Sequence, residues 1–248
     1  MNALASYLDS TYLKTAQQQG ITEVENITRV HAIVNEAIAY HFKLVMIRPE
    51  YVLLAKEWIR EANSQVLVGT VIDFPTGTAS TKQKQDEAQQ AVEDQADELD
   101  FVADYEAFKR GENQAVKEQI GQLTRWALDQ GKTVKWIIEI AALTPNEVVR
   151  FSTLIKNVVM DMAKEIEFQD VFVKSSTGFY VTENGKPNGA THEAITAMIE
   201  NAFPLPVKAA GGVRNQAEAI AMIQLGVKRI GTSAAKDIVE GNQVNAAY

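Results

Sequence analysis

Short apolar runs rich in β-branched residues alternate with longer segments whose apolar positions recur every three or four residues. The clearest short runs cover residues 44–47, 66–72, 99–103, 134–140, 171–175, 206–209 and 229–232, with a weaker one at 6–9. Most are continuously apolar, the pattern of parallel strands covered on both faces. Helical spacing covers residues 24–40, 81–95, 114–130, 145–166, 192–201 and 216–225. Thr144-Pro-Asn-Glu147 supplies an N-cap, a proline at the first helical position and an acid in the first turn. Gly131 and Gly226 stand where helices end.

Eight strands in 248 residues give 31 residues per unit (248/8), a workable strand–helix repeat. Right-handed parallel crossovers then leave an eightfold barrel or an open doubly wound sheet. No Gly-x-Gly-x-x-Gly turn follows an early strand, and the glycine-rich elements fall after the last strands, where a (β/α)8 barrel places its phosphate site. The expected fold is therefore an α/β (β/α)8 TIM barrel, one domain over 1–248 with a short C-terminal tail at about 241–248. One irregular insertion, 179–189, follows the sixth strand and is placed to form a flap over the mouth.

Composition narrows the chemistry by exclusion. The chain has no cysteine, so disulfides, thiolate metal sites and thiol nucleophiles are ruled out. Its formal net charge of −8 argues against general binding to nucleic acid or anionic membranes, though a local basic pocket for a small anion remains open. No apolar segment approaches a membrane span, and the N-terminus lacks the cationic and apolar regions of a signal peptide, so a cytoplasmic location is expected. His31, His41 and His192 show no metal-ligand spacing, and Asp86-Glu87 and Glu93-Asp94 read as solvated helix faces.

Two lysines carry the strongest signal. Lys174 ends the sixth strand and Lys208 lies in the seventh, and an ammonium at the end of a buried strand is costly without a partner or a task. In a barrel the two are neighbours across the mouth. One reading makes them an anion-attracting pair or strand-end lysines reaching for solvent. The favoured reading makes one a nucleophile whose pKa the other lowers, freeing a neutral amine to attack a carbonyl. Asp100, in the fourth strand, is either a structural ion-pair partner or a proton carrier. Lys135 and Glu139 share one face of the fifth strand and are placed to extend a charge network there. Gly211-Gly-Val-Arg214 and Ile230-Gly-Thr-Ser233 both offer backbone N–H groups to an anion, and their succession points to a phosphate.

With these residues assembled, the chain resembles the deoxyribose-phosphate aldolases, class I aldolases of TIM-barrel fold. Leu8-Asp-Ser-Thr-Tyr-Leu13, Gly69-Thr-Val-Ile-Asp-Phe-Pro-Thr-Gly77, Glu98-Leu-Asp-Phe-Val102 and Lys135-Trp-Ile-Ile-Glu139 carry the resemblance, with Phe172-Val-Lys-Ser-Ser-Thr-Gly178 and Val207-Lys-Ala-Ala-Gly-Gly-Val-Arg214. It implies Lys174 as Schiff-base lysine, Lys208 as second active-site lysine and Asp100 as proton relay. It places phosphate or substrate contacts at Asp9, Gly178, Gly211, Gly212, Arg214, Gly231 and Ser233, and a proton-transfer role at the C-terminal Tyr248. The implied reaction is reversible cleavage of 2-deoxy-D-ribose 5-phosphate to glyceraldehyde 3-phosphate and acetaldehyde, with no metal or organic cofactor and a homodimer as the expected assembly. Met46, Arg48 and Asp73 depart from the family pattern, and Arg48 either contacts an anion or points outward. Competing readings are a class I aldolase with a larger phosphorylated donor and a non-catalytic paralogue that binds a phosphate ligand.

Overall fold

The apolar runs pair in chain order. In a computed structural model, which describes residues 3–183 and 187–242, eight parallel strands close into a barrel in the order β1 to β8. They are β1 Leu8–Tyr12, β2 Leu44–Ile47, β3 Leu67–Ile72, β4 Glu98–Val102, β5 Thr133–Ile137, β6 Val171–Lys174, β7 Val207–Ala210 and β8 Arg229–Thr232. Closure runs through the pairing of Leu8 with Ile230 and Asp9 with Gly231. The helices are α1 Ala16–Gln19, α2 Glu23–Tyr40, α3 Val52–Glu61, α4 Thr81–Glu93, α5 Tyr105–Lys109, α6 Asn113–Asp129, α7 Pro145–Met162, α8 His192–Ala202, α9 Gln216–Leu225 and α10 Ala235–Glu240. The expected (β/α)8 TIM barrel is the observed fold.

Capping explains where several helices begin. Thr144 caps α7: its hydroxyl accepts from the Glu147 N–H at 3.3 Å, and Glu147 accepts in return from the Thr144 N–H at 2.7 Å. Ser80 and Thr22 start α4 and α2 the same way. The main core lies between the strands and the helices. Phe101 stacks on Trp136 there at 5.1 Å, and the Trp136 indole donates to Thr124 at 2.8 Å. A separate apolar cluster of Leu13, Leu44, Met46 and Val71 fills part of the barrel interior, with Phe74 and Phe179 packed against it.

The sequence expectations shift at three places. The first strand is Leu8–Tyr12, because residues 3–7 wind into a 3-10 turn. The fifth strand stops at Ile137, and Glu139 beyond it takes a left-handed backbone with φ of 53°. The seventh helix ends at Met162, where Ala163 turns extended; a 3-10 segment, Glu165–Asp170, follows it. Four helices, α1, α3, α5 and α10, lie outside the segments marked by spacing. Helix α3 follows a 3-10 turn, Pro49–Tyr51, and buries Val52, Ala55 and Ile59, while α1, α5 and α10 are only four, five and six residues long. No helix among the described residues is long and apolar enough to cross a membrane.

Candidate active site

Alternation along a strand sends every second side chain inward. On six of the eight strands that places charge inside the barrel: Asp9 on β1, Glu98 and Asp100 on β4, Lys135 on β5, Lys174 on β6, Lys208 on β7 and Arg229 on β8. All seven are buried. Such burial is tolerable only where the charges satisfy one another, and here they do.

Asp100 is the hub. Its Oδ1 accepts from Lys135 Nζ at 2.7 Å, and its Oδ2 accepts from both Lys174 Nζ at 2.8 Å and Lys208 Nζ at 2.9 Å. Lys208 also meets Asp9 Oδ2 at 2.6 Å. The Arg229 guanidinium forks onto both remaining acids. Its Nε donates to Asp9 Oδ1 at 2.7 Å, and its Nη1 donates to Glu98 Oε1 at 3.0 Å. Lys135 closes the chain by donating to Glu98.

Counting charges shows what the network favours. Four cations (Lys135, Lys174, Lys208, Arg229) face three carboxylates (Asp9, Glu98, Asp100), one positive charge in excess. The balance is restored if one lysine is neutral. Burial is the largest influence on Lys174 and lowers its pKa; Asp100 opposes, while Lys208 and then Lys135 add to the lowering, leaving it at about 8. Desolvation, ahead of the second lysine, is therefore the main cause. On Asp100 burial pushes upward, but the Lys135, Lys174 and Lys208 ammonium groups outweigh it and hold the carboxyl well below its ordinary range. On Lys135 burial pushes downward, yet Asp100 and Glu98 raise the pKa overall. Burial and the neighbouring lysines thus loosen the proton on Lys174, whereas the carboxylates around Lys135 hold its proton more tightly.

A pocket opens over this network at the C-terminal ends of the strands. It encloses about 620 Å³, counting its open mouth. Lys174 forms part of its lining with Thr177, Gly178, Phe179, Gly211, Gly212, Arg214, Gly231 and Ser233, and Thr11 and Leu13 stand on the β1 side. Lys174 is the only one of the seven network residues in that lining. Gly178, Gly211 and Gly212 have φ near +80°, a conformation that favours glycine. A Cβ at Gly178 or Gly212 would meet no atom within 4 Å. The N–H groups of Gly178, Gly211, Gly212 and Ser233 donate to no described residue. Gly231 has a second use, since a Cβ there would lie 3.1 Å from Lys208 Cε. It leaves the lysine stem room to reach Asp100.

The structure brings Lys174, Lys208 and Asp100 together, with Gly178, Gly211, Gly212, Arg214, Gly231 and Ser233 around the mouth. Asp9, expected among the substrate contacts, lies beneath the pocket instead, drawn to Lys208 and Arg229. Glu139 is not part of the charge network and pairs with Thr177. Arg48 is half-buried: its Nε donates to the Leu13 carbonyl at 2.7 Å and its guanidinium lies over Phe74. Asp73, with φ of 53°, accepts from the Ala79 N–H at 2.8 Å. The insertion touches the mouth at both ends, through Phe179 against Phe74 and through Asn188, which donates to the Gly178 carbonyl at 3.3 Å. Tyr248 lies outside the described residues. Sequence reasoning missed Arg229 and the role of Glu98. The available signal was the two-residue spacing of charge within buried strands, as in Glu98 and Asp100.

A closed parallel barrel with buried lysines meeting one aspartate beneath a glycine-lined mouth defines a TIM-barrel aldolase. Residues 7–238 match the DeoC/LacD family of aldolases, and the chain belongs to that family. It is 39% identical over 239 residues to the deoxyribose-phosphate aldolase of Thermococcus kodakarensis, covering 96% of both chains. It is 37% identical to deoxyribose-phosphate aldolase 2 of Staphylococcus aureus, covering 98% of this chain and 99% of that one. The tetrameric deoxyribose phosphate aldolase structure from Aeropyrum pernix superposes with a TM-score of 0.76 at 28% identity, over 96% of this chain and 89% of that chain.

Proposed function

We propose that the chain reversibly cleaves 2-deoxy-D-ribose 5-phosphate to D-glyceraldehyde 3-phosphate and acetaldehyde, with Lys174 as the imine-forming nucleophile. The observation that carries this reading is that Lys174 alone among the network cations lines the pocket, with its pKa lowered to about 8. A neutral amine is thereby accessible near neutrality.

In the cleavage direction the Lys174 amine adds to the C1 aldehyde of the open-chain sugar, and loss of water gives a protonated imine. The C3 hydroxyl gives up its proton, the C2–C3 bond breaks, and its electron pair moves into the imine. Glyceraldehyde 3-phosphate departs and leaves an enamine. The enamine carbon takes a proton, and water hydrolyses the resulting imine to free acetaldehyde and Lys174. One oxygen of Asp100 bridges the Lys174 and Lys208 amines, giving protons a path between nucleophile and second lysine. Because that carboxyl is held far below its ordinary pKa, it returns each proton it takes.

At the other end of the pocket the Gly178, Gly211, Gly212 and Ser233 N–H groups, with the Arg214 side chain, receive the phosphate. Binding there positions the reacting carbons. Gly231, Asp9 and Tyr248 enter this reading differently: the first makes room for Lys208, the second holds it, and the third serves proton transfer from the tail. A homodimer in the cytoplasm is the assembly and location we assign. Purified protein is tested with 2-deoxyribose 5-phosphate, following both products. Formation of acetaldehyde and glyceraldehyde 3-phosphate in equal amounts supports the assignment. Cleavage only of ketose phosphates that release dihydroxyacetone phosphate contradicts it.

A further inference from the structure

Glu139 is a buried carboxylate that the aldol chemistry does not use. It lies just beyond β5, is 1% exposed and holds a left-handed backbone that a side chain of this kind rarely adopts. A residue kept in such a conformation at the edge of a site has its surroundings arranged around it. Its Oε2 accepts two hydrogen bonds from one residue, the Thr177 N–H at 3.1 Å and the Thr177 hydroxyl at shorter range. The same hydroxyl accepts from the Phe179 N–H at 3.0 Å. One carboxylate oxygen therefore fixes the turn from Thr177 to Phe179 through both ends of the Thr177 residue.

Gly178 is the middle of that turn. Its N–H donates to no described residue, and its Cα lies 3.7 Å from where a Cβ on Gly211 would stand. The turn thus sets how Gly178 faces the other glycine element. Burial raises the Glu139 pKa, while the Thr177 hydrogen bonds and the Lys174 charge oppose the rise. Hydrogen bonds to a carboxylate are among the stronger ones, so their loss loosens the turn more than loss of a neutral pair.

We propose that Glu139 is the positioning residue of the phosphate end of the pocket, holding the Thr177–Gly178–Phe179 turn so that the Gly178 N–H completes an anion cradle with Gly211 and Gly212. This rests on the phosphate reading above and assigns Glu139 no contact with the reacting atoms. A role confined to folding would weaken all substrates alike. A role in the cradle weakens phosphorylated ones selectively.

The test is the ratio of kcat/KM for 2-deoxyribose 5-phosphate to that for 2-deoxyribose, measured in wild type and in Glu139→Gln. The amide keeps the shape and can still turn its oxygen to Thr177, but it replaces two charge-assisted hydrogen bonds by weaker neutral ones. The ratio is expected to fall about tenfold, carried by KM, with the inhibition constant of inorganic phosphate rising in parallel. Thr177→Val removes the hydroxyl from the receiving side and lowers the same ratio, so it decides the matter if Glu139→Gln does not fold. A wild-type preference for the phosphorylated sugar that survives unchanged in the folded variant overturns the role of Glu139 and leaves the phosphate reading standing. A wild type that turns over both sugars equally overturns the phosphate reading, and the inference with it.

Discussion

The barrel interior has two unlike halves. From β4 round to β1 it is a closed circuit of six charged side chains with Lys174 joined to it at Asp100, whereas at β2 and β3 it is packed by Leu44, Met46 and Val71 under Leu13. In the charged half, position depends on mutual satisfaction, and each group sets the protonation of its neighbours. In the apolar half, position depends on shape: Met46 Cε lies so close to Gly69 that a Cβ there would be 2.6 Å away. The first half tunes a nucleophile and the second walls it in, so substitutions in the two should fail differently.

The largest effect is expected at Lys174. Lys174→Met should lower aldol cleavage by about 10³-fold or more, since no other described network lysine reaches the pocket. It should not lower the melting temperature, because it removes the surplus charge; a cooperative loss of structure by circular dichroism would contradict that. Asp100→Asn comes next. It leaves three ammonium groups without their shared anion and should cost about 3–5 kcal/mol in denaturant unfolding. In the apolar half Met46→Ala opens a cavity over Gly69 and should cost about 2–5 kcal/mol without moving the pH profile.

The pH profile gives the finest separation of the halves. The neutral Lys174 amine is the reactive form, so activity should rise with pH through about 8. The stability sign follows from the same depressed pKa. Between about 8 and the ordinary lysine value of 10.5 the unfolded chain binds the proton and the folded chain does not, so this group's contribution to stability grows as pH rises through that window. Arg229→Met takes one cation from the circuit, and Asp9 and Glu98 then draw on Lys208 and Lys135. Asp100 is left more to Lys174, whose pKa should rise, moving the midpoint of activity up by about one unit. Arg229→Lys should largely restore it. A midpoint unmoved in Arg229→Met would show that the circuit does not reach the nucleophile.

The two halves also differ in how much of them can be read from sequence. Continuous apolar runs at even intervals mark the barrel, and Lys174 stands out because an ammonium rarely ends a buried strand. Arg229 escapes notice because Lys228-Arg229 at the start of a run looks like ordinary surface charge. Its meaning depends on β8 pairing with β1, which brings Asp9 alongside across more than two hundred residues. Glu139 reads as a strand residue facing Lys135, and only the left-handed turn after Ile137 sends it to Thr177. Long-range register and single backbone dihedrals leave no local pattern.

The account stands on Lys174 forming the covalent imine, and trapping tests that most directly. The protein is treated with acetaldehyde and borohydride, digested and mapped by mass spectrometry. A reduced two-carbon adduct on Lys174, absent when borohydride is omitted, is the predicted result. A folded, active protein whose adduct forms on Lys208 or on neither lysine would contradict it.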